Sequence, residues 1–146
     1  MDTREKISKK LRNMKKYLDF LRSHKSITRE ELEENYALKS AIERNFHLAL
    51  EAALDIGEII ISAESFEKPE DYRSVILILG KRKIIPKDFA ERFAGAAGFR
   101  NILVHAYEDL DLEKFYYYLR NNLEDINEFA KYVVNYIEKK SETEKK

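Results

Sequence analysis

The sequence predicts an all-α fold, a mostly antiparallel bundle of about five helices. Three observations carry this. Only four glycines and two prolines punctuate 146 residues, too few for the tight turns of a sheet protein. Apolar residues recur at gaps of three and four through most of the chain, which lays them along one side of a helix. No stretch alternates apolar and polar residues as a half-buried strand does. A chain of this length folds as one domain and buries a core without staples.

The first predicted helix places Ile7, Leu11, Met14, Leu18 and Leu21 on one stripe. Its other sides carry Lys9, Lys10, Arg12, Lys15 and Lys16. A solvated face is the ordinary explanation of such a run; a wall for an RNA backbone is the other. His24 to Thr28 is a connector. Thr28 and Glu31 form a capping box, with Ile27 and Leu32 as a hydrophobic staple. The second helix reads from about residue 28 to 64 on Leu38, Ile42, Phe46, Ala49, Ala53, Ile56 and Ile60, with Asn35 as the place for a bend. Arg44, His47, Glu51, Asp55 and Glu58 line its polar sides; His47 reads as a boundary histidine, because no second histidine stands at ligand spacing.

Pro69 and Pro86 bracket a third helix carrying Tyr72, Val75, Ile76 and Leu79, for which Gly80 is the expected stop. Lys81, Arg82 and Lys83 form the densest positive spot, and Ile84 and Ile85 plug the core behind it. Pro86 opens the fourth helix, whose expected stripe is Phe89, Phe93, Ala96, Phe99 and Leu103. Gly95 to Gly98 is nearly bare, so another helix can approach closely, from this chain or from a second copy. Glu108 to Leu110 reads as a turn. Asp111 caps the fifth helix, with Leu110 and Phe115 as its staple and a stripe of Phe115, Leu119, Leu123, Ile126, Ala130, Val133 and Ile137. Phe115 to Tyr118 rings that helix with aromatics; core and dimer packing explains them most simply, base stacking alternatively. The domain is read as residues 1–138, and the charged stretch 139–146, without apolar anchors, as a disordered tail.

Composition narrows the function. There is no cysteine, hence no disulfide framework and no thiolate metal site. Nothing resembles a signal peptide and no apolar run reaches membrane-spanning length, so a soluble cytoplasmic protein is expected. Charged residues make up 37% of the chain and glutamine is absent, a balance that suits a hot environment. Formal net charge is zero; any nucleic-acid footprint must be a local patch.

One stretch gathers chemistry: Phe99-Arg100-Asn101-Ile102-Leu103-Val104-His105-Ala106-Tyr107. An arginine, an amide, an imidazole and a phenol can together bind a phosphate, move a proton and offer a nucleophile. On a helix, Phe99, Ile102, Leu103 and Ala106 fall on one side, expected to face the core. Arg100, Asn101, Val104, His105 and Glu108 fall on the other, but Arg100 and His105 still point about 140° apart. A single helix does not bring both onto one phosphate; two copies crossing at a two-fold axis could. The plain alternative is a polar cluster that fixes helix packing or dimer register, with Tyr107 bonded to a backbone carbonyl.

The string Arg100-Asn101-x-Leu103-Val104-His105-x-Tyr107, late in an all-helical chain of this size, resembles the signature of the HEPN superfamily and, more narrowly, of its HepT family. Arg44-Asn45-Phe46 through Asp55-Ile56-Gly57 is similar to that family's second helix. The resemblance covers roughly residues 1–138. It implies a homodimeric HEPN bundle acting as a ribonuclease toxin on RNA without a metal or other cofactor. Arg100 and His105 would be catalytic and Asn101 supporting, at a dimer cleft. It also implies an antitoxin partner, a minimal MntA-like nucleotidyltransferase, that adds AMP to Tyr107. A second class stays open: a HEPN domain that serves a nucleotidyltransferase as a non-catalytic nucleotide- or substrate-binding module.

Overall fold

The structure, a computed structural model, describes the backbone of residues 1–105 and 112–145 and the side chains of residues 1–98 and 113–143. The described residues form seven helices: α1 (Thr3–Ser23), α2 (Arg29–Glu34), α3 (Tyr36–Ala63), α4 (Tyr72–Lys81), α5 (Lys87–His105), α6 (Leu112–Asn121) and α7 (Leu123–Lys145). α3 is the hub; α1, α2, α4, α5 and α7 all pack against it.

α1 starts where the Asp2 carboxylate accepts the Glu5 N–H at 2.8 Å. Its stripe buries Ile7, Met14, Leu18 and Leu21, with Leu11 at the margin. Eight cationic residues and two carboxylates lie between Thr3 and Ser23, so this helix is strongly positive in a chain of zero net charge. The expected second helix is two. Thr28 caps α2, accepting the Glu31 N–H at 3.1 Å, and the staple residues Ile27 and Leu32 are buried. Asn35 then leaves the helical region and its side chain accepts the Leu38 N–H at 3.0 Å. It therefore caps a new helix rather than bending an old one.

Two glycines set the spacing around α4. A methyl group on Gly57 would sit 2.6 Å from Val75 Cγ1, and one on Gly80 would sit 2.4 Å from Ala90 Cβ. α3, α4 and α5 thus approach more closely than any side chain at these positions permits. Gly80 is not the stop that the sequence suggested: it is buried inside α4. The stop falls three residues later, where Lys83 adopts a left-handed φ of 62° and the Ile84 N–H donates to Leu79 O at 2.9 Å. At the other end, Asp71 and Ser74 make a reciprocal capping box.

α5 begins as Ala90 N–H donates to Pro86 O at 2.9 Å, so Pro86 stands half inside the helix. Phe89 stacks on Phe93 (5.3 Å), Phe93 on Phe129 (5.2 Å), and Phe89 meets Tyr132 edge-on at 5.1 Å. This aromatic seam docks α5 on α7; burying each phenylalanine contributes about 1.5–3 kcal/mol. Phe129 was absent from the expected stripe. The expected fifth helix breaks at Asn122, whose amide donates to Asp125 Oδ2 at 3.0 Å. The apolar period runs through the break, which hides it in the sequence. Residues 139–145, read as a tail, continue α7: Lys140 pairs with Glu64 at 2.6 Å and the Arg4 guanidinium donates to Ser141 Oγ at 3.0 Å.

Candidate functional site

Arg100, Asn101 and His105 lie on the last turns of α5; Tyr107, the Glu108–Leu110 turn and the Asp111 cap lie outside the described residues. The helical register fixes angular positions along the backbone. The buried residues of α5 are Phe89, Ala90, Phe93, Ala94, Ala96 and Ala97. Arg100 follows Phe93 by seven residues and takes its angular position to within about 20°. His105 follows Gly98 by the same interval. Gly95 is exposed, Gly98 is half-buried, and among the described residues a Cβ on either would meet nothing within 4 Å. Arg100 thus repeats the backbone register of Phe93, and His105 that of Gly98.

A second polar cluster sits on α3. The Arg44 guanidinium lies 3.3 Å from His47 Nδ1, and His47 Nε2 lies 2.8 Å from Glu51 Oε2. Arginine only donates, so in this contact Nδ1 accepts and the ring proton is on Nε2. Asn45 is spent locally, donating to Ala41 O at 2.8 Å. α6 reaches α3 through Phe115, fully buried and 6.0 Å from the Phe46 ring. Of the expected aromatic collar, Phe115 is core, Tyr116 lies under the Arg120 guanidinium at 5.5 Å, and Tyr117 is 59% exposed.

What holds the motif helix was not legible as function. Arg92 on α5 donates to the buried Asp125 at 3.3 Å and reaches Glu128 on α7 at 3.5 Å. Arg29 pairs with Glu113 at 2.7 Å, tying α2 to α6. No spacing signal joins residues 33 or 84 apart in the chain. Among the described residues no three carboxylate, histidine or cysteine groups cluster at metal-binding distance. No helix among them is long and apolar enough to cross a membrane.

The bundle has the fold of the HEPN toxins. It superposes on a tri-AMPylated Shewanella oneidensis HEPN toxin, solved in complex with its MNT antitoxin, with a TM-score of 0.80 at 21% identity, covering 92% of this chain and 99% of that one. YutE, a cytosolic protein of unknown function from Bacillus subtilis, superposes with a TM-score of 0.80 at 23% identity, over 94% of this chain and 92% of that one. The chain belongs to the HepT-like ribonuclease family, whose model matches residues 14–133. It is 30% identical over 105 residues to a tRNA nuclease HepT of Aphanizomenon flos-aquae, spanning 72% of this chain and 71% of that protein. It is 24% identical over 99 residues to an mRNA nuclease HepT of Shewanella oneidensis, spanning 68% and 74%.

Proposed function

We propose that this protein is a HepT-like toxin, an RNA endonuclease whose Arg100 and His105 act together at a cleft between two copies of the chain. The observation that carries the reading is the Arg100-Asn101-x-Leu103-Val104-His105-x-Tyr107 string, whose first six residues lie on the last turns of α5, in a member of a ribonuclease family. His105 removes the proton of a ribose 2′-hydroxyl or supplies one to the departing 5′-oxygen, the acid–base role an imidazole suits. The 2′-oxygen attacks the adjacent phosphorus as the bond to the 5′-oxygen breaks. Arg100 holds the phosphate in two-point fashion and stabilises the charge that grows on it. Asn101 orients the histidine or bonds a phosphate oxygen. These proton transfers and charge contacts complete the cleavage without a metal.

A homodimer is part of this reading. His105 shares the register of the open glycine side, where Gly95 and Gly98 leave room for a second α5. A two-fold pairing of this end of the chain would bring the imidazole of one copy towards the guanidinium of the other. The antitoxin is an MntA-like nucleotidyltransferase that transfers AMP to Tyr107, adding bulk and negative charge beside the phosphate site. Two named relatives are RNA nucleases and one fold neighbour is an AMPylated toxin bound to an MNT antitoxin; both support the reading.

The test compares purified parent with His105→Ala on tRNA and mRNA substrates. The parent cleaves and the variant, folded to the same melting temperature, does not. A variant that cleaves as fast as the parent overturns the assignment.

A further inference from the structure

We propose that the outer face of α1 is an RNA-backbone binding surface, separate from the Arg100–His105 cleft and gripping the strand that is cut there. The proposal rests on the nuclease reading for its ligand. Its own evidence is a segregation of charge that folding does not need.

Lys6, Lys9, Arg12, Lys15 and Lys16 are all exposed. None makes an ion pair with a described residue. The remaining lysine of the run, Lys10, pairs with Asp55 at 2.9 Å, and Arg22 at the helix end pairs with Glu124 at 2.8 Å. Within the run, Lys6 and Lys10 stand four apart, as do Arg12 and Lys16, while Lys9, Arg12 and Lys15 stand three apart. Like charges at these spacings repel and weaken a helix. α3 is built oppositely: Lys39 pairs with Glu43, four residues on. The chain has as many carboxylates as cations, so it could have placed acids between these lysines. Helix-dipole compensation does not explain the run either, since it occupies the middle of α1 rather than the last turn.

The ligand that fits is a polyanion with evenly spaced single charges. The five free cations extend over about 15 Å of helix axis. No large apolar side chain of α1 is exposed, so the face lacks the buried anchors on which protein interfaces depend. A phosphodiester strand needs none. The face also leads the right way. The C-terminal end of α1 is tied to the segment after the motif by Arg22–Glu124 and by Arg120 donating to Lys25 O at 3.4 Å. Chain length alone keeps His105 within about 25 Å of Leu112. A strand lying on α1 therefore runs towards the end of the bundle that carries the motif.

The experiment uses the full chain with His105→Ala, so that RNA survives, and a labelled single-stranded RNA. One variant adds Lys9→Glu, Arg12→Glu and Lys16→Glu. A charge-matched control adds Lys68→Glu, Arg73→Glu and Lys87→Glu, exposed positions elsewhere. Losing three phosphate contacts should flatten the dependence of log Kd on log salt by about 2 and weaken binding about 100-fold near 0.1 M salt. The control should change far less, and the α1 variant should melt no lower than its parent. Equal RNA binding by the two variants overturns the proposal. So does unchanged RNA binding with loss of binding to the nucleotidyltransferase antitoxin, which would give the face to an acidic protein. The nuclease reading is judged separately, on His105-intact protein. If that protein cleaves and its α1 charge-swap form cleaves with unchanged KM, the α1 surface falls and the nuclease stands. If it never cleaves but the His105→Ala chain binds RNA through α1, the nuclease falls and the surface stands.

Discussion

Gly80→Ala tests the packing that positions the motif helix. The added methyl would lie 2.4 Å from Ala90 Cβ, with Lys87 Cα at 3.7 Å and Ala90 Cα at 3.9 Å. Carbon atoms rest about 3.5–4.0 Å apart, so α4 and α5 must separate by about 1 Å. Neither methyl has a rotamer by which to escape. Overpacking of this kind costs about 1–3 kcal/mol. Alanine in place of glycine returns at most about 1 kcal/mol through helix propensity, and less here, one residue from the helix end. The net loss is about 1–2 kcal/mol, or a fall in Tm of about 2–8 °C for a domain of this size. Urea denaturation of parent and variant measures it, with an unchanged m-value showing that only stability moved. Ala90→Gly on the Gly80→Ala background should recover most of the loss, a coupling that a general helix effect would not produce. A Gly80→Ala protein as stable as the parent would refute the close α4–α5 approach, and with it the placement of α5.

Other perturbations have equally defined outcomes. Gly95→Arg with Gly98→Arg should convert a dimer to monomer in sedimentation and abolish RNA cleavage while the melting temperature holds, since a Cβ at either position meets no described atom within 4 Å. Phe129→Ala removes a fully buried ring stacked on Phe93 and should cost about 3–5 kcal/mol in denaturant titration. Tyr107 should gain mass in multiples of an adenylyl group on co-expression with the antitoxin, and Tyr107→Phe should not. The Glu64 carboxyl is held below its usual range, chiefly by the Lys140 ammonium and then by the Tyr136 hydroxyl. A depressed carboxyl stabilises the fold above its unfolded pKa and loses that contribution as pH falls through the folded value. Glu64→Gln should therefore melt lower than the parent at neutral pH, with the difference closing as pH drops below about 4.5. Glu67, between Lys81 and Arg82, should titrate by NMR near 2, returning towards 4.5 in a Lys81→Ala, Arg82→Ala protein.

The helices were legible wherever period and cap coincided. Ile7 to Leu21 on α1 and the Thr28 cap with its Ile27–Leu32 staple are as read. The division of the long segments was not, because Asn35 and Asn122 interrupt the backbone while the apolar period continues past them. Gly80 shows a different limit: a glycine that ends a helix and a glycine that lets two helices touch look alike until the neighbour, here Ala90, is known. For the candidate site, the sequence offers the residues and their order in one string; their orientation is not legible there, since Gly95-Ala96-Ala97-Gly98 carries no phase. Pairing between copies cannot be written in a single chain's spacing at all.

The uneven distribution of charge on α1 has a practical side. With a sequence isoelectric point near 6.9, ordinary rules would send this protein through a cation exchanger at neutral pH. Retention on a sulfated or phosphorylated resin answers to the nearest face rather than to the total, so the protein should adhere to heparin when it carries no net charge. Cell extracts hold a competing natural resin. Preparations made at low salt should leave the cell already loaded with nucleic acid, visible as excess absorbance at the wavelength of the bases, and a high-salt wash should strip it.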